Sequence, residues 1–312
     1  MSPTAWITGA RGFLGRNLAR HLSSSGTAVA GIGHGHWPAQ EAAAEGVRHW
    51  VNADINAASL DGLLAEAGRP GVIYHLAGGS AVGPSFANPL EDFERTVHTT
   101  VRLLDWVRRR AREVPVVAVS SAAVYGAGHE GPIAEATVGT PYSPYGYHKS
   151  IVETLCRSYG QNFGLRAAIL RVFSAYGAEL RKQILWDLCS RLAAGPDGLT
   201  LDGTGREQRD WIHASDVARL LELVAERLPS PDVPVLNGAS GAGRSVAEFA
   251  GLVVAAWGVD CEVGFSGRSR PGDPVNLLAD VTKLRSLGFE SRVPLEDGVR
   301  DYVAWFRRAA GR

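Results

Sequence analysis

Short, continuously apolar runs alternate with stretches in which apolar residues recur at helical spacing. The runs at 5–8, 28–32, 47–51, 71–77, 116–121 and 166–173 read as strands buried on both faces. Between them, helical periodicity appears over 59–67, 90–112 and 147–163; in the last, Ile151, Leu155, Tyr159 and Phe163 fall on one stripe. Strands separated by helices imply a parallel sheet covered on both faces, so the expected fold is α/β, a doubly wound parallel sheet. After 173 the pattern changes to an apolar helix at 184–192, a glycine-rich, hairpin-like run at 199–205 and a helix starting near Ser215 and Asp216, either of which would cap it. A helix at 245–257, a polar loop at 268–273 and a final helix at 295–307 follow. The expected division is a dinucleotide-binding domain of 1–173 with 209–237, and a smaller mixed α/β lobe of 174–208 with 238–312. The stretch 229–234 is a surface connection too short to link domains.

The first strand runs into a glycine turn, AWITGARGFLG, in which Gly9, Gly12 and Gly15 stand three apart before a helical register begins. Such a turn lets a pyrophosphate approach amides at a helix start, where the dipole favours negative charge; the bland alternative is an ordinary strand-to-helix loop. An acid at the end of the second strand would bond the ribose 2′-hydroxyl of NAD, but Gly33 stands there. Arg11 and His34 would instead face the 2′-phosphate of NADP, so NADP is favoured over NAD. A solvated Arg11 is the plain alternative. His34 and His36 flank a glycine without further ligand spacing, so no metal is expected.

Ligands of doubly wound sheets sit beyond the carboxyl ends of the strands, which selects Asp54, the stretch Leu76, Ala77, Gly78, Gly79 and Ser80, and the hydroxyls of Ser120 and Ser121. The chemistry is placed in SPYGYHKS at 143–150, where Tyr145 and Lys149 lie one helical turn apart. A neighbouring ammonium favours the phenolate, which makes the two a proton-transfer pair. The chain has only three lysines, Lys149, Lys182 and Lys283, among many arginines, and an arginine is not tuned as a lysine is. Without that context the pair reads as an exposed aromatic and base on a helix.

Composition narrows the classes. Lys plus Arg and Asp plus Glu are both 32, and the pI is near 7.1, so no overall field attracts nucleic acid or an anionic membrane. Cys156, Cys189 and Cys261 are scattered singly, which argues against a disulfide framework or zinc cluster and for a reducing cytoplasm. No leader-like segment opens the chain, and no apolar stretch reaches the ~18 residues a membrane span needs.

Together these residues resemble the extended short-chain dehydrogenase/reductase family, in particular its nucleotide-sugar epimerases, dehydratases and reductases, over nearly the whole chain. The resemblance rests on TGARGFLG at 8–15, Asp54-Ile55, HLAG at 75–78, SSAAVYG at 120–126 and Tyr145 through Lys149. It continues through RVFSAYG at 171–177, GTG at 203–205, RDWIH at 209–213 and RPGD at 270–273. It implies a Rossmann fold holding NADP or NAD against Gly9, Arg11, Gly12, Phe13, Leu14, Gly15, His34, Asp54, Ile55, Leu76, Ala77, Gly78, Tyr145 and Lys149. Ser121 and Tyr145 would bond the reacting sugar oxygen with Tyr145 moving the proton, Lys149 would hold the nicotinamide ribose, and Asp54 would contact the adenine. Ser80, Ser121 and Ser174 would touch the substrate, and Arg209 and Arg270 would clamp its diphosphate. The implied partner is a nucleoside-diphosphate sugar, with no nucleic acid and no membrane. The helical stretches 91–112 and 147–163 resemble the pair that builds a four-helix homodimer interface in this family, although their apolar stripes would equally suit an internal core.

Departures narrow the reaction. Dehydratases of this group carry an Asp-Glu pair after the active-site hydroxyl residue, where this chain has Ala122 and Ala123. The family's asparagine after the fourth strand is Thr96, and that of its RxFN motif is Ser174. Two enzyme readings follow: NADPH-dependent reduction of an NDP-4-keto-6-deoxyhexose at C4, favoured by Gly33 and Arg11, and an NAD-dependent NDP-sugar 4-epimerase. A non-catalytic NADP-sensing or RNA-binding relative is a remote third reading, disfavoured because Tyr145 and Lys149 are both present.

Overall fold

A computed structural model of the chain describes residues 4–195, 198–227, 229–268 and 273–311. In chain order its strands are β1 (Thr4–Thr8), β2 (Val29–Gly33), β3 (Val47–Asn52), β4 (Pro70–His75), β5 (Val116–Ser121), β6 (Pro132–Ile133) and β7 (Ala167–Val172). β8 (Ser174–Tyr176), β9 (Gly198–Leu201), β10 (Gln208–His213), β11 (Val235–Gly238), β12 (Gly243–Ser245), β13 (Glu262–Phe265) and β14 (Asn276–Ala279) complete them. β2 and β7 are buried along their whole length, which is what uninterrupted apolar runs without alternation require.

Seven strands form one sheet in the order β11-β7-β5-β4-β1-β2-β3. The pairings from β3 across to β7 are parallel. β11 runs the same way: Ile169 N–H donates to Pro234 and Phe173 N–H to Gly238, so donor and acceptor advance together. The order reverses between β1 and β4, which makes the carboxyl ends of those two strands the switch point where such sheets take ligands. Below it lies a dry core in which Trp6 and Trp106 stack at 5.5 Å amid Ile73, Leu103, Val116 and Ile169.

The helix Pro144–Phe163 begins three residues earlier than apolar spacing alone predicts. Ser143 caps it by accepting from Gly146 N–H, Pro144 fills the first position, where no donor is needed, and Gly164 ends it at φ 69°. The helix expected over 90–112 runs through Pro89–Phe93, a π-helical turn Glu94–His98 and Thr99–Arg110 without leaving the helical region, and a separate short helix, Val82–Ala87, precedes it. Asn88 before Pro89 is held at φ −137° and ψ 70°, out of the helical region, as a following proline favours.

The chain forms two compact units, one of Met1–Tyr125, Gly139–Val172 and Val217–Leu236, the other of Gly126–Val138, Phe173–Asp216 and Asn237–Arg312. These boundaries correct the sequence expectation at two places. The stretch 126–138 belongs to the second unit because β6 pairs with β14. Residues 209–216 do not return to the large sheet, because β10 pairs with β8, β12 and β14. The run at 199–205 is no hairpin either: β9 pairs in parallel with β13, some sixty residues on. The helix expected near 215 starts at Ala214, and the buried Asp216 carboxylate accepts from Ser291 Oγ at 2.7 Å and from the amides of Arg292 and Val293, both at 3.0 Å. Cys156, Cys189 and Cys261 are free and buried. Among the described residues, no helix is long and apolar enough to cross a membrane.

Candidate active site

The site begins where β1 ends. Gly9 turns at φ +73°, and a Cβ there would meet Ala77 N at 3.0 Å; a Cβ at Gly15 would overlap the Gly9 carbonyl. Gly12 stands at the N-cap of the helix Phe13–Ser24 without a side-chain cap. Backbone packed this closely leaves amides and a helix start for a pyrophosphate to approach, so Gly9, Gly12, Phe13, Leu14 and Gly15 fit the phosphates of a dinucleotide.

A buried chain of hydrogen bonds locks this turn to the end of β4. Ala77 N–H donates to Thr8 Oγ1 at 3.2 Å, and Thr8 Oγ1 lies 2.8 Å from His75 Nδ1. His75 Nε2 lies 2.9 Å from Thr100 Oγ1, whose own proton goes to the Thr96 carbonyl at 2.6 Å. Thr100 must therefore accept from Nε2–H, and Nδ1 must accept from Thr8, so the imidazole is neutral. Burial, and then the nearby charge of Lys149, bring the His75 pKa down to about 3. Thr96 also accepts from Gly79 N–H at 2.7 Å. In place of the family's asparagine it holds the 76–80 turn.

Lys149 and Tyr145 come from the first turns of the Pro144–Phe163 helix. Lys149 is buried, with Nζ donating to the Val119 carbonyl at 3.1 Å and lying 5.8 Å from the centre of the Tyr145 ring. Burial brings its pKa down to about 8, against the opposing charges of Asp92 and Glu153. Burial raises the Tyr145 hydroxyl above its usual pKa, a hydrogen bond with Ser121 lowers it, and the Asp92 charge raises it again. Ser121 Oγ, at the carboxyl end of β5, also accepts from Ala123 N–H at 3.2 Å. Ser121, Tyr145 and Lys149 thus form one constellation beside the switch point. It can hold an oxygen between two hydroxyls and move a proton while a cation stands behind the phenol.

Behind this constellation, Glu153 takes Arg171 in a fork, Nε to Oε1 at 2.8 Å and Nη2 to Oε2 at 2.7 Å, with Ser120 Oγ donating to Oε1 at 2.7 Å. Burial alone would push the Glu153 carboxyl up, but these bonds hold it below the usual range. Two supporting residues, Ser85 and Asp92, had no motif to mark them, and a third, His148, stood inside SPYGYHKS without being singled out. Buried Ser85 accepts from Tyr145 N–H at 3.1 Å and donates to the Val82 carbonyl at 2.7 Å. Asp92 and His148, both buried, meet at 2.5 Å. For Asp92 the sequence signal was an Asn-Pro helix start at 88–89 followed by an acid.

At the far end of the glycine turn, no acid takes the place of Gly33: a Cβ there would sit 3.2 Å from the Trp50 ring and 3.5 Å from Gly9 Cα. Arg11 packs so closely on Gly35 that any side chain there would overlap its guanidinium. Exposed His34 Nε2 lies 3.2 Å from Asp54 Oδ1, and Ile55 is buried beside it in sequence. Leu76, Ala77, Gly78 and Ser80 lie in the turn after β4. Ser174 and Arg209 belong to the second unit, on β8 and β10, and Arg270 lies outside the described residues. Among the described residues, no group of three or more His, Cys, Asp or Glu side chains is placed to hold a metal ion.

A parallel sheet with this strand order, a glycine turn at its switch point and a Ser-Tyr-Lys constellation define a dinucleotide-dependent enzyme of the extended short-chain dehydrogenase/reductase class. The model of the NAD dependent epimerase/dehydratase family matches residues 5–236, and the chain belongs to that family. It is 30% identical over 326 residues to a UDP-glucose 4-epimerase of Azospirillum brasilense, covering 98% of this chain and 92% of that protein. It also resembles the Thermus thermophilus UDP-glucose 4-epimerase in complex with NAD, at 27% identity and TM-score 0.86 over 98% of this chain and 99% of that one. The UDP-glucuronic acid 4-epimerase of Bacillus cereus in complex with UDP-glucuronic acid and NAD matches at 25% identity and TM-score 0.87, with 98% and 99% covered.

Proposed function

We propose that this enzyme is an NAD-dependent 4-epimerase of a UDP-sugar. The observation that carries the reading is the Ser121, Tyr145 and Lys149 constellation followed by Ala122 and Ala123, which keeps proton transfer at one hydroxyl and lacks the acid and base for eliminating water. The similarity to 4-epimerases supports it over reduction of a 4-keto sugar. In this reading Ser121 and Tyr145 bond the C4 oxygen, Tyr145 accepts its proton on oxidation and returns it on reduction, and Lys149 supplies the positive charge that favours the phenolate. Nicotinamide, when bound, supplies the hydride acceptor and donor. The second unit, through Ser174, Arg209 and Arg270, takes the nucleotide sugar.

The NADPH-dependent reductase remains the second reading because one observation favours it: the end of β2 carries Gly33 and no acid, with Arg11 packed on Gly35 and His34 between the two glycines. We place the enzyme in the cytoplasm, whose reducing conditions suit three buried thiols. It is a homodimer through the helices of 82–110 and 144–163, where Phe86, Leu90, Tyr147 and Ile151 are exposed. The test is to denature purified protein, identify the nucleotide released, and incubate the native enzyme with UDP-glucose or UDP-glucuronic acid. Retained NAD and formation of the C4 epimer are expected. Protein without bound nucleotide that consumes NADPH on a 4-keto-6-deoxy sugar nucleotide would replace this reading with the reductase.

A further inference from the structure

We propose that Asp92 is a positioning residue, the counter-charge for the buried Lys149 ammonium, with its carboxylate oriented by His148. A buried ammonium is costly unless an opposite charge stands near it. Among the described residues, the acids whose charge bears on Lys149 are Asp92 and Glu153. Glu153 is matched already, because Arg171 forks onto both its oxygens and Arg157 Nη2 reaches Oε2 at 3.1 Å. Asp92, by contrast, meets His148 Nδ1 at 2.5 Å, a contact that orients the carboxylate.

Lys149 and Asp92 pack against neighbouring glycines. A Cβ at Gly78 would lie 3.5 Å from Lys149 Nζ, and one at Gly79 would overlap Asp92 Oδ1. Two successive glycines therefore face the ammonium and the carboxylate, with Thr96 Oγ1 also 3.3 Å from the first of these Cβ positions. Other charged and titratable groups around the Pro144–Phe163 helix are accounted for. His75 on β4 is held neutral by Thr8 and Thr100, and Arg171 on β7 serves Glu153. On the 89–98 stretch Glu91 pairs with Arg95 and Glu94 with His98, all four more than a third exposed. Asp105, with Arg108 and Arg109, acts on Tyr159 at the helix's other end. The Asp92 charge raises the pKa of Tyr145 as well as that of Lys149, so it keeps both partners protonated to higher pH.

The importance of this pair for catalysis rests on the role given to Lys149 above, but its test needs no sugar and no turnover. With only three lysines in the chain, full-length protein carrying [ε-13C]lysine gives three side-chain NMR signals, and Lys149→Met assigns one. In the wild type that signal is expected to titrate near pH 8. Asp92→Asn is expected to lower the midpoint by about one pH unit, the scale of one close charge. His148→Asn, which keeps an N–H near the Nδ1 position, is expected to leave it at the wild-type value. An unchanged midpoint in folded Asp92→Asn overturns the proposal. So does an equal drop in His148→Asn, which would trace the effect to lost packing. Asp92→Ser, smaller and free of the glycine contact, serves if the asparagine variant does not fold. Failure to epimerise any UDP-sugar would leave the Lys149 titration unaffected, so the two readings fail separately.

Discussion

In the proposed mechanism Tyr145 is the residue on which the chemistry turns, and its surroundings explain why the phenol alone would be insufficient. Burial raises its pKa while Ser121 lowers it, so proton transfer relies on the hydroxyl partner and the cation behind it. Tyr145→Phe removes the proton carrier and little else; turnover is expected to fall by about 10²–10⁴-fold with the far-UV spectrum and unfolding midpoint unchanged. A variant turning over at the wild-type rate would remove Tyr145 from the mechanism. At the other end of the cofactor site, Gly15→Ala drives a methyl into the Gly9 carbonyl. It should abolish retained dinucleotide, read by absorbance of the released nucleotide after denaturation. The glycines, Ser121, Tyr145 and Lys149 were singled out in the sequence because the chemistry proposed for them calls for set residue types at set spacing. Ser85, Asp92 and His148 were not. Their partners lie dozens of residues away, and nothing local distinguishes a serine that fixes a tyrosine amide from one in a loop.

Among the elements, the helix Pro144–Phe163 carries the site and is pinned at its first turn by two serines. Ser143 takes the Gly146 amide and Ser85 takes that of Tyr145. Ser143→Ala should cost about 1 kcal/mol, the usual loss of an N-cap. Ser85→Ala buries an unpaired Tyr145 amide and should cost about 1–3 kcal/mol, with a larger fall in turnover because the freed amide belongs to the reacting residue. Urea unfolding of both variants beside their rates checks the ranking; equal turnover in the two would argue against Ser85 as a support. Strands and helices of the large sheet could be read from apolar runs, since burial on both faces leaves a plain signature. The break at 88–89 was signalled by its proline, whereas the π-helical turn at 94–98 and the pairing of β9 with β13 depend on contacts that no local window contains.

For the molecule as a whole, His75 ties stability to pH. Its pKa falls from 6.5 to about 3 on folding, so its contribution is fully present above pH 6.5 and is lost as pH falls towards 3. Over that window the unfolded chain binds the extra proton, and stability should decline by about 1.4 kcal/mol per pH unit from this group. His75→Gln, whose amide also donates and accepts, should flatten the slope of unfolding free energy against pH; an unaltered slope would mean the acid sensitivity lies elsewhere. The course of the backbone carries another consequence. It passes between the two units at 125–126, 138–139, 172–173, 216–217 and 236–237, so neither can be obtained by trimming one end. During synthesis, the large sheet lacks its last strand until β11 has left the ribosome, about three quarters of the way along the chain, and the emerging polypeptide must carry the long, buried-type strand β7 as a sheet edge until then.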